Sequence, residues 1–453
     1  MSNTLRPSPV SRRPMRWLLL LLILAAWLRV ANLGRESLWF DEVFSRQVAV
    51  ESTIPIIWRD GVAGDVHPPL YFAVLSAWTQ VAGDSAIALR VLSVLMSLTA
   101  LPAIYVLSKR LFGAQAGLWA LALASVAPMQ IFQAHEARQY ALSIACAAWI
   151  GVGLADVLRG KSYGWLIYIG ASAAGLYTHY FTGLLLAALH VWMLAHRSAR
   201  ARWRSWLSGD VVIAILFLPQ MLLFASQAQS VLTDFWIAVP DPSSPIKTLT
   251  YLLFGPTLPL LTNAAAIVLT TCTLAVLSYD TLRYAPRARR TLWVLCATAV
   301  LVPLAIVFAI SLVSSSIYLH RSFALLSPFL IAALAGVMPR DLRPSPTPAL
   351  VGVLLAAMSL STVNYLLTPD PSKAPYQRIA VDLQASQARS LMPVIVLHDS
   401  AYLPLVYYAP TLSVEMRLVD LEDKSWLFPA TWRIFGITRT SRAELEDWLS
   451  AYR

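Results

Sequence analysis

The chain has 453 residues, of which 58% are hydrophobic and only 13% charged. No soluble protein of this length needs so much apolar surface, and repeated apolar runs of about 17–25 residues mark membrane-spanning helices. The net charge of +11 could suit nucleic acid, but the basic residues lie in short clusters between the apolar runs, a positive-inside pattern that excludes nucleic acid as the partner.

The first apolar run, residues 17–31, follows Arg12, Arg13 and Arg16 and contains the bulky Trp27. With no A-x-A site after it, it reads as an uncleaved anchor with its basic end in the cytoplasm. Residues 37–45, SLWFDEVFS, come next. Apolar residues at Trp39, Phe40, Val43, Phe44 and Val48 repeat with helical spacing, which predicts a short amphipathic helix on a membrane surface. Asp41 and Glu42 are adjacent on it, so they point about 100° apart and cannot both aim into one pocket. Glu42 stands four residues before Arg46, the favourable order for an outer-face salt bridge, which leaves Asp41 for chemistry.

Residues 67–82, HPPLYFAVLSAWTQVA, are short for a span and predict an interfacial or re-entrant helix on the outer face. Pro68 and Pro69 put His67 just before a helix N-terminus, an end that attracts anions, although the prolines remove two N–H donors. About eleven spans are expected, at 17–33, 87–108, 112–133, 138–158, 163–178, 181–196, 210–227, 262–282, 291–313, 321–338 and 347–367. If the chain alternates, every basic cluster falls on the N-terminal side: Lys109 and Arg110, Arg159 and Lys161, Arg197 to Arg204, Arg283 to Arg290, Arg340 and Arg343. A first loop at 34–86 and a second at about 228–261, broken by Pro240, Pro242 and Pro245, then lie outside. Cys146, Cys272 and Cys296 all sit within apolar runs and read as packing residues.

Polar residues gather at the outer ends of these spans. QAHEARQYAL holds His135, Glu136, Arg138, Gln139 and Tyr140, with Glu136 and Tyr140 on one helical face. Tyr177, His179 and Tyr180 lie between two short helices and suit either interfacial anchoring or a site. His320 and Arg321 open the tenth span. An arginine on the outer side runs against the positive-inside trend, so Arg321 either snorkels to lipid phosphate or meets an anionic ligand. Beyond residue 369 the composition changes: helices at 376–390 and 442–452, a buried strand at 393–397 and a strand at 414–419 are expected, with 402–408 open between the two states. The expected architecture is an all-α polytopic membrane domain over 1–369 and a small extracytoplasmic α/β domain over 370–453, without a glycine-rich phosphate loop.

The segments SLWFDEVFS, DVHPPLYF, ALRVLSVLMSL with SKRLFG, HEARQYAL and HRSFALLSPFLIAAL together resemble the GT-C glycosyltransferases, in particular bacterial relatives of the protein O-mannosyltransferases and of the lipid A aminoarabinose transferase. The resemblance implies an inner-membrane enzyme that takes a sugar from a polyprenyl-phosphate donor and transfers it with inversion, on the outer face, to a lipid, glycan or protein acceptor. It implies Asp41 as catalytic base and Glu136 as support for the acceptor or sugar site. The residue before the double proline contacts the lipid phosphate in such enzymes; several relatives carry lysine where this chain has His67, which is only partly charged near neutral pH. His67, Arg138, His320 and Arg321 are the expected phosphate ligands, and Glu42, Tyr71, Tyr140, His179 and Tyr180 the expected substrate contacts. Paired carboxylates leave Mg²⁺ or Mn²⁺ open as a cofactor. A transporter or flippase of lipid-linked sugar, which would need charges in mid-span and repeat symmetry, and a ligase of whole glycans are the alternatives.

The alternation fixes a topology test. A reporter fused after Lys161 or Arg204 is expected to read as cytoplasmic and one fused after Val66 as extracytoplasmic; the same reading at Val66 and Lys161 would remove the outer-loop assignment.

Overall fold

A computed structural model describes residues 12–60, 66–233, 236–256, 258, 260–337, 346–368, 373–387, 394–396, 399–411, 416–419 and 439–440. The chain opens with α1 (Arg12–Val30), then three short helices, α2 (Phe40–Glu51), α3 (Ile54–Asp60) and α4 (Leu70–Ala82). The long α5 (Ala86–Phe112) is followed by α6 (Ala114–Ser125) and α7 (Pro128–Ala134), a pair bent by 57°. Then come α8 (Tyr140–Leu158), α9 (Tyr163–Leu176), α10 (Phe181–Ala195), the single turn α11 (Arg197–Arg200), α12 (Trp203–Phe217) and α13 (Met221–Thr233). After α14 (Ser244–Phe254), α15 (Leu260–Tyr284) and α16 (Arg287–Val313), a 3₁₀ segment (His320–Leu326) runs into α17 (Ser327–Gly336), and α18 (Thr347–Leu367) ends the apolar part.

The expected segments fall on helices over most of their described residues, although 112–133 is broken between α6 and α7 and 210–227 runs from α12 into α13. Six helices among the described residues are long and apolar enough to cross a membrane, seven if α6 and α7 count as one broken span. The rest are shorter, and the chain is multi-pass without eleven full-length spans being established. Residues 67–82 form α4 as a short helix. Residues 228–261, broken by Pro240, Pro242 and Pro245, contain α14, whose Leu249, Leu252, Leu253 and Phe254 are buried. Pro245 is compatible with this because it sits in the first turn, where no N–H partner is needed.

The core lies between α5, α6, α8, α10, α16 and α17, whereas α12 and α13 turn large apolar side chains outward, Ile215 63% and Leu222 86% exposed, as lipid-facing helices do. Helix α8 is enclosed, and it approaches α9 through glycine. A Cβ on Gly153 would stand 2.4 Å from the Tyr168 backbone nitrogen, so only glycine allows this crossing.

The bend between α6 and α7 has an identifiable cause. Pro128 has no N–H to give to the carbonyl of Ala124, four residues before it. Arg29, fully buried near the end of α1, donates to the Ala124 oxygen (3.0 Å) and to that of Ser125 (3.2 Å) instead. Its Nε donates to Ser97 on α5 (2.8 Å).

Beyond α18, α19 (Tyr376–Gln387), β1 (Val394–Val396), α20 (Asp399–Tyr408), β2 (Met416–Val419) and β3 (Arg439–Thr440) form a small parallel sheet, order β1-β2-β3, with two helices. The ambiguous 402–408 stretch is thus helical. Strand β1 is half-buried rather than buried, since Ile395 is 38% exposed beside a buried Val396. The helix expected at 442–452 lies outside the described residues. Ala380 of α19 and Leu403 and Leu405 of α20 share one apolar cluster with Val43, Phe44 and Val48 of α2 and with Phe72 and Leu75 of α4.

Replacing Gly153 with valine is expected to lower stability by about 1–3 kcal/mol through overpacking at the α8–α9 crossing, measured as a drop in melting temperature of the detergent-purified chain. The same change at Gly170, whose Cβ would meet nothing within 4 Å, is the control.

Candidate active site

Helix α2 starts at Trp39, whose extended backbone (φ −98°, ψ 177°) sets the first turn, and the Glu42 carboxylate accepts weakly from the Trp39 N–H at 3.4 Å. The 100° step between neighbours then divides the two acids. Glu42 turns inward and is fully buried. It does not pair with Arg46, as its spacing suggested. Arg90 of α5 holds it bidentately, Nε to Oε1 at 2.8 Å and Nη2 to Oε2 at 2.7 Å, and the Ala137 N–H adds a third bond at 2.9 Å. Arg46 instead donates from Nε to Asp84 at 2.9 Å. The tertiary pairing wins because Arg90, buried in an apolar helix, has no other carboxylate within hydrogen-bond reach among the described residues, and its remaining donors go to the carbonyls of Leu33, Glu36 and Ser37. Burial pushes the Glu42 pKa up, but Arg90, then Lys373 and the Ala137 N–H, outweigh it, so the net shift is downward.

Asp41 turns the other way, into a cavity of about 610 Å³. Its Oδ2 lies 2.8 Å from Nη2 of Arg321, and the guanidinium of Arg321 stacks over Trp39 (5.1 Å) and Tyr140 (5.8 Å). Arg138 lines the same cavity and donates to Ser45 Oγ at 3.0 Å, one turn along α2 from Asp41. His67 and His179 form the opposite wall with ring centroids 5.5 Å apart, and Tyr180 completes it. The Phe181 N–H donates to Nδ1 of His179 (3.2 Å), which leaves the ring proton on Nε2. Away from these groups the cavity is apolar, walled by Phe224, Val231 and Leu232 of α13, Trp236, and Ile310 of α16.

The cavity therefore brings together Asp41, His67, Arg138, Tyr140, His179, Tyr180 and Arg321 from five separate stretches of the chain. It does not bring in four other residues. Tyr71 is fully buried beneath α4, edge-on to Phe72. His320 turns to Thr248 Oγ1 (2.7 Å), although Arg321 beside it faces the cavity. Glu42 is committed to Arg90. Glu136 lies behind the wall, accepting from the Trp39 indole N–H at 2.6 Å and paired with Lys373. Burial raises its carboxyl to about 7, helped by Glu42 and opposed by the Lys373 ammonium. The N-terminus of α4 also has little to offer an anion: after the two prolines the next N–H, that of Leu70, is taken by the Tyr177 carbonyl (2.9 Å). No group of three or more His, Cys, Asp or Glu side chains that could hold a metal ion occurs among the described residues.

Sequence reasoning assigned nothing to Arg90 or Lys373. A charge inside an apolar helix is itself a signal, so Arg90 was open to discovery. Lys373, in the proline-rich stretch TPDPSKAPY, reads as an ordinary solvated lysine. Its Nζ is nevertheless enclosed by Glu136, Glu36 (3.3 Å) and the ring of Phe132 (5.2 Å).

Residues 66–223 match the family model described as dolichyl-phosphate-mannose-protein mannosyltransferase. No curated protein sequence matches the chain significantly. Among solved structures, apo ArnT from Cupriavidus metallidurans is similar with a TM-score of 0.61 and 13% identity, over 91% of this chain and 87% of that one. The same protein bound to undecaprenyl phosphate gives 0.59 and 14%, over 90% and 87%. The apo oligosaccharyltransferase of Archaeoglobus fulgidus gives 0.54 and 11%, over 90% of this chain and 64% of that one. The shared fold is GT-C.

Breaking the buried pair under α2 should be costly. Arg90→Met is expected to destabilise the chain by about 3–5 kcal/mol, because it strands the Glu42 carboxylate. Adding Glu42→Gln should recover part of that loss in a thermal melt.

Proposed function

We propose that the chain is a membrane-embedded, inverting glycosyltransferase that moves a sugar from a polyprenyl-phosphate donor to an acceptor hydroxyl on the extracytoplasmic face, with Asp41 as general base. One observation carries this reading. A carboxylate, two guanidiniums and two imidazoles meet at one end of a cavity whose other end is apolar and walled by membrane helices. A lipid phosphate bearing a sugar needs those two halves together, since its chain is too apolar for water and its head is an anion.

The residues then divide the work. The acceptor hydroxyl attacks the anomeric carbon from the face opposite the phosphate, and the Asp41 carboxylate takes its proton as the new C–O bond forms. The old bond from the anomeric carbon to the phosphate oxygen breaks, and the polyprenyl phosphate leaves with the electron pair. Arg321 and Arg138 stabilise the charge gathering on it, and His67 does so when protonated. Arg321 pairs with Asp41; a phosphate competes for the same guanidinium and releases the carboxylate for proton transfer. His179, Tyr140 and Tyr180 line the space left for the sugar. Glu136, displaced from the cavity wall, supports Trp39 rather than holding the acceptor. ArnT bound to undecaprenyl phosphate, a protein of the same fold, supports a lipid phosphate as the donor's carrier. On this reading the N-terminus is cytoplasmic and residues 370–453 are extracytoplasmic.

The experiment is release of radiolabelled sugar from a panel of undecaprenyl-phosphate hexoses and pentoses by the purified chain in detergent. Asp41→Asn is expected to lower turnover by about 10²–10⁴-fold while the protein still inserts and binds undecaprenyl phosphate, and chelator should leave turnover unchanged. Wild-type turnover in Asp41→Asn would exclude it as the base. A chain that never releases sugar in detergent but moves lipid-linked sugar between leaflets of a vesicle would be a flippase.

A further inference from the structure

The buried ammonium of Lys373 is the least expected charge in the molecule. It follows the last span, yet it is only partly buried as a residue while its side chain is 5% exposed. It contacts Glu136 and Glu36 and stands over the Phe132 ring. Glu136 carries the contact onward: its other oxygen accepts the Trp39 indole N–H at 2.6 Å. The Trp39 ring lies under the Arg321 guanidinium (5.1 Å), and Arg321 lies 2.8 Å from Asp41. From Lys373 to Asp41 every link is a contact between side chains of low exposure.

We propose that Lys373 is a positioning residue for sugar transfer, pinning Glu136 so that Trp39 holds Arg321 and Asp41 in register. This rests on the transferase reading and extends it: the segment beyond the last span is part of the catalytic apparatus. Two observations bear on that extension. The Gln377 N–H donates to Ser37 Oγ (3.0 Å) and the Leu38 N–H donates to the Tyr408 hydroxyl (2.7 Å), so α19 and α20 clamp the residues just before α2. Ser400 of α20 reaches the cavity wall. A lysine kept only to neutralise a buried acid needs no such alignment with the cavity. Here its partner carboxylate is hydrogen-bonded to the very indole on which Arg321 rests.

The test separates positioning from charge balance. Lys373→Met strands Glu136, so it is paired with the double variant Lys373→Met/Glu136→Gln, which removes the stranded charge at Glu136, leaves Glu36 with Arg35 (3.9 Å), and keeps an acceptor for the Trp39 N–H. The expected result is a double variant with the wild-type melting temperature and donor KM but with kcat lowered on the order of 10²-fold, as small misplacements of reacting groups produce. A double variant that regains wild-type kcat together with its stability overturns the proposal, because Lys373 would then serve only to balance charge. So does a Lys373→Met chain with unchanged kcat. A wild-type chain that releases no sugar from any donor on the panel overturns the transferase reading itself, whereas an active wild type with unaffected variants overturns this inference alone.

Discussion

The ion pair between Glu42 and Arg90 is the constraint on which the site's geometry depends. Two charges with almost no access to water are tolerated only when each is matched and its remaining hydrogen-bonding capacity is filled. Here Glu42 receives Arg90 bidentately and the Ala137 N–H, while Arg90 also binds three carbonyls of the loop ahead of α2. One knot thus fixes the loop between α1 and α2, a long apolar helix and the loop between α7 and α8. Asp41 can be aimed at the cavity because its neighbour is locked in the opposite direction.

Around that knot the cavity is assembled from helix ends. Charged groups are cheapest where spans stop, since there the side chains reach the interface while the helices beneath remain apolar. The chain places His67 before α4, Arg138 before α8, His179 before α10 and Arg321 in the 3₁₀ turn before α17. The apolar remainder of the cavity comes from α13 and α16. Polar head group and hydrocarbon chain are thereby served by different parts of one space.

Much of this was legible in the sequence, and the failures share a cause. The helical spacing from Trp39 to Val48 located α2, the apolar runs located the long helices, and the polar clusters named the titratable residues that line the cavity. Directions were harder. Glu42 was assigned to Arg46 because the two are four apart, but a partner 48 positions away in the chain supplied better geometry and less water. Tyr71 is four residues from His67 and His320 is next to Arg321, yet Tyr71 packs edge-on to Phe72 in the buried face of α4 and His320 turns to Thr248. Lys373 could not be found at all. Nothing local distinguishes it from a solvated lysine, and its value comes from a carboxylate that the fold delivers from more than two hundred residues upstream.

The bend between α6 and α7 bears on how such a chain is made. Proline leaves the Ala124 carbonyl without its helical donor; the Ala127 N–H reaches it only at 3.5 Å, and Arg29 serves it at 3.0 Å. In a hydrocarbon environment an unserved carbonyl costs several kcal/mol. The helix that relieves this cost is synthesised before the one that breaks, so the donor is already in the bilayer when the acceptor arrives. Order of synthesis and order of need coincide, and a permuted chain in which α1 came last would have to carry the broken helix unsupported until the end of translation.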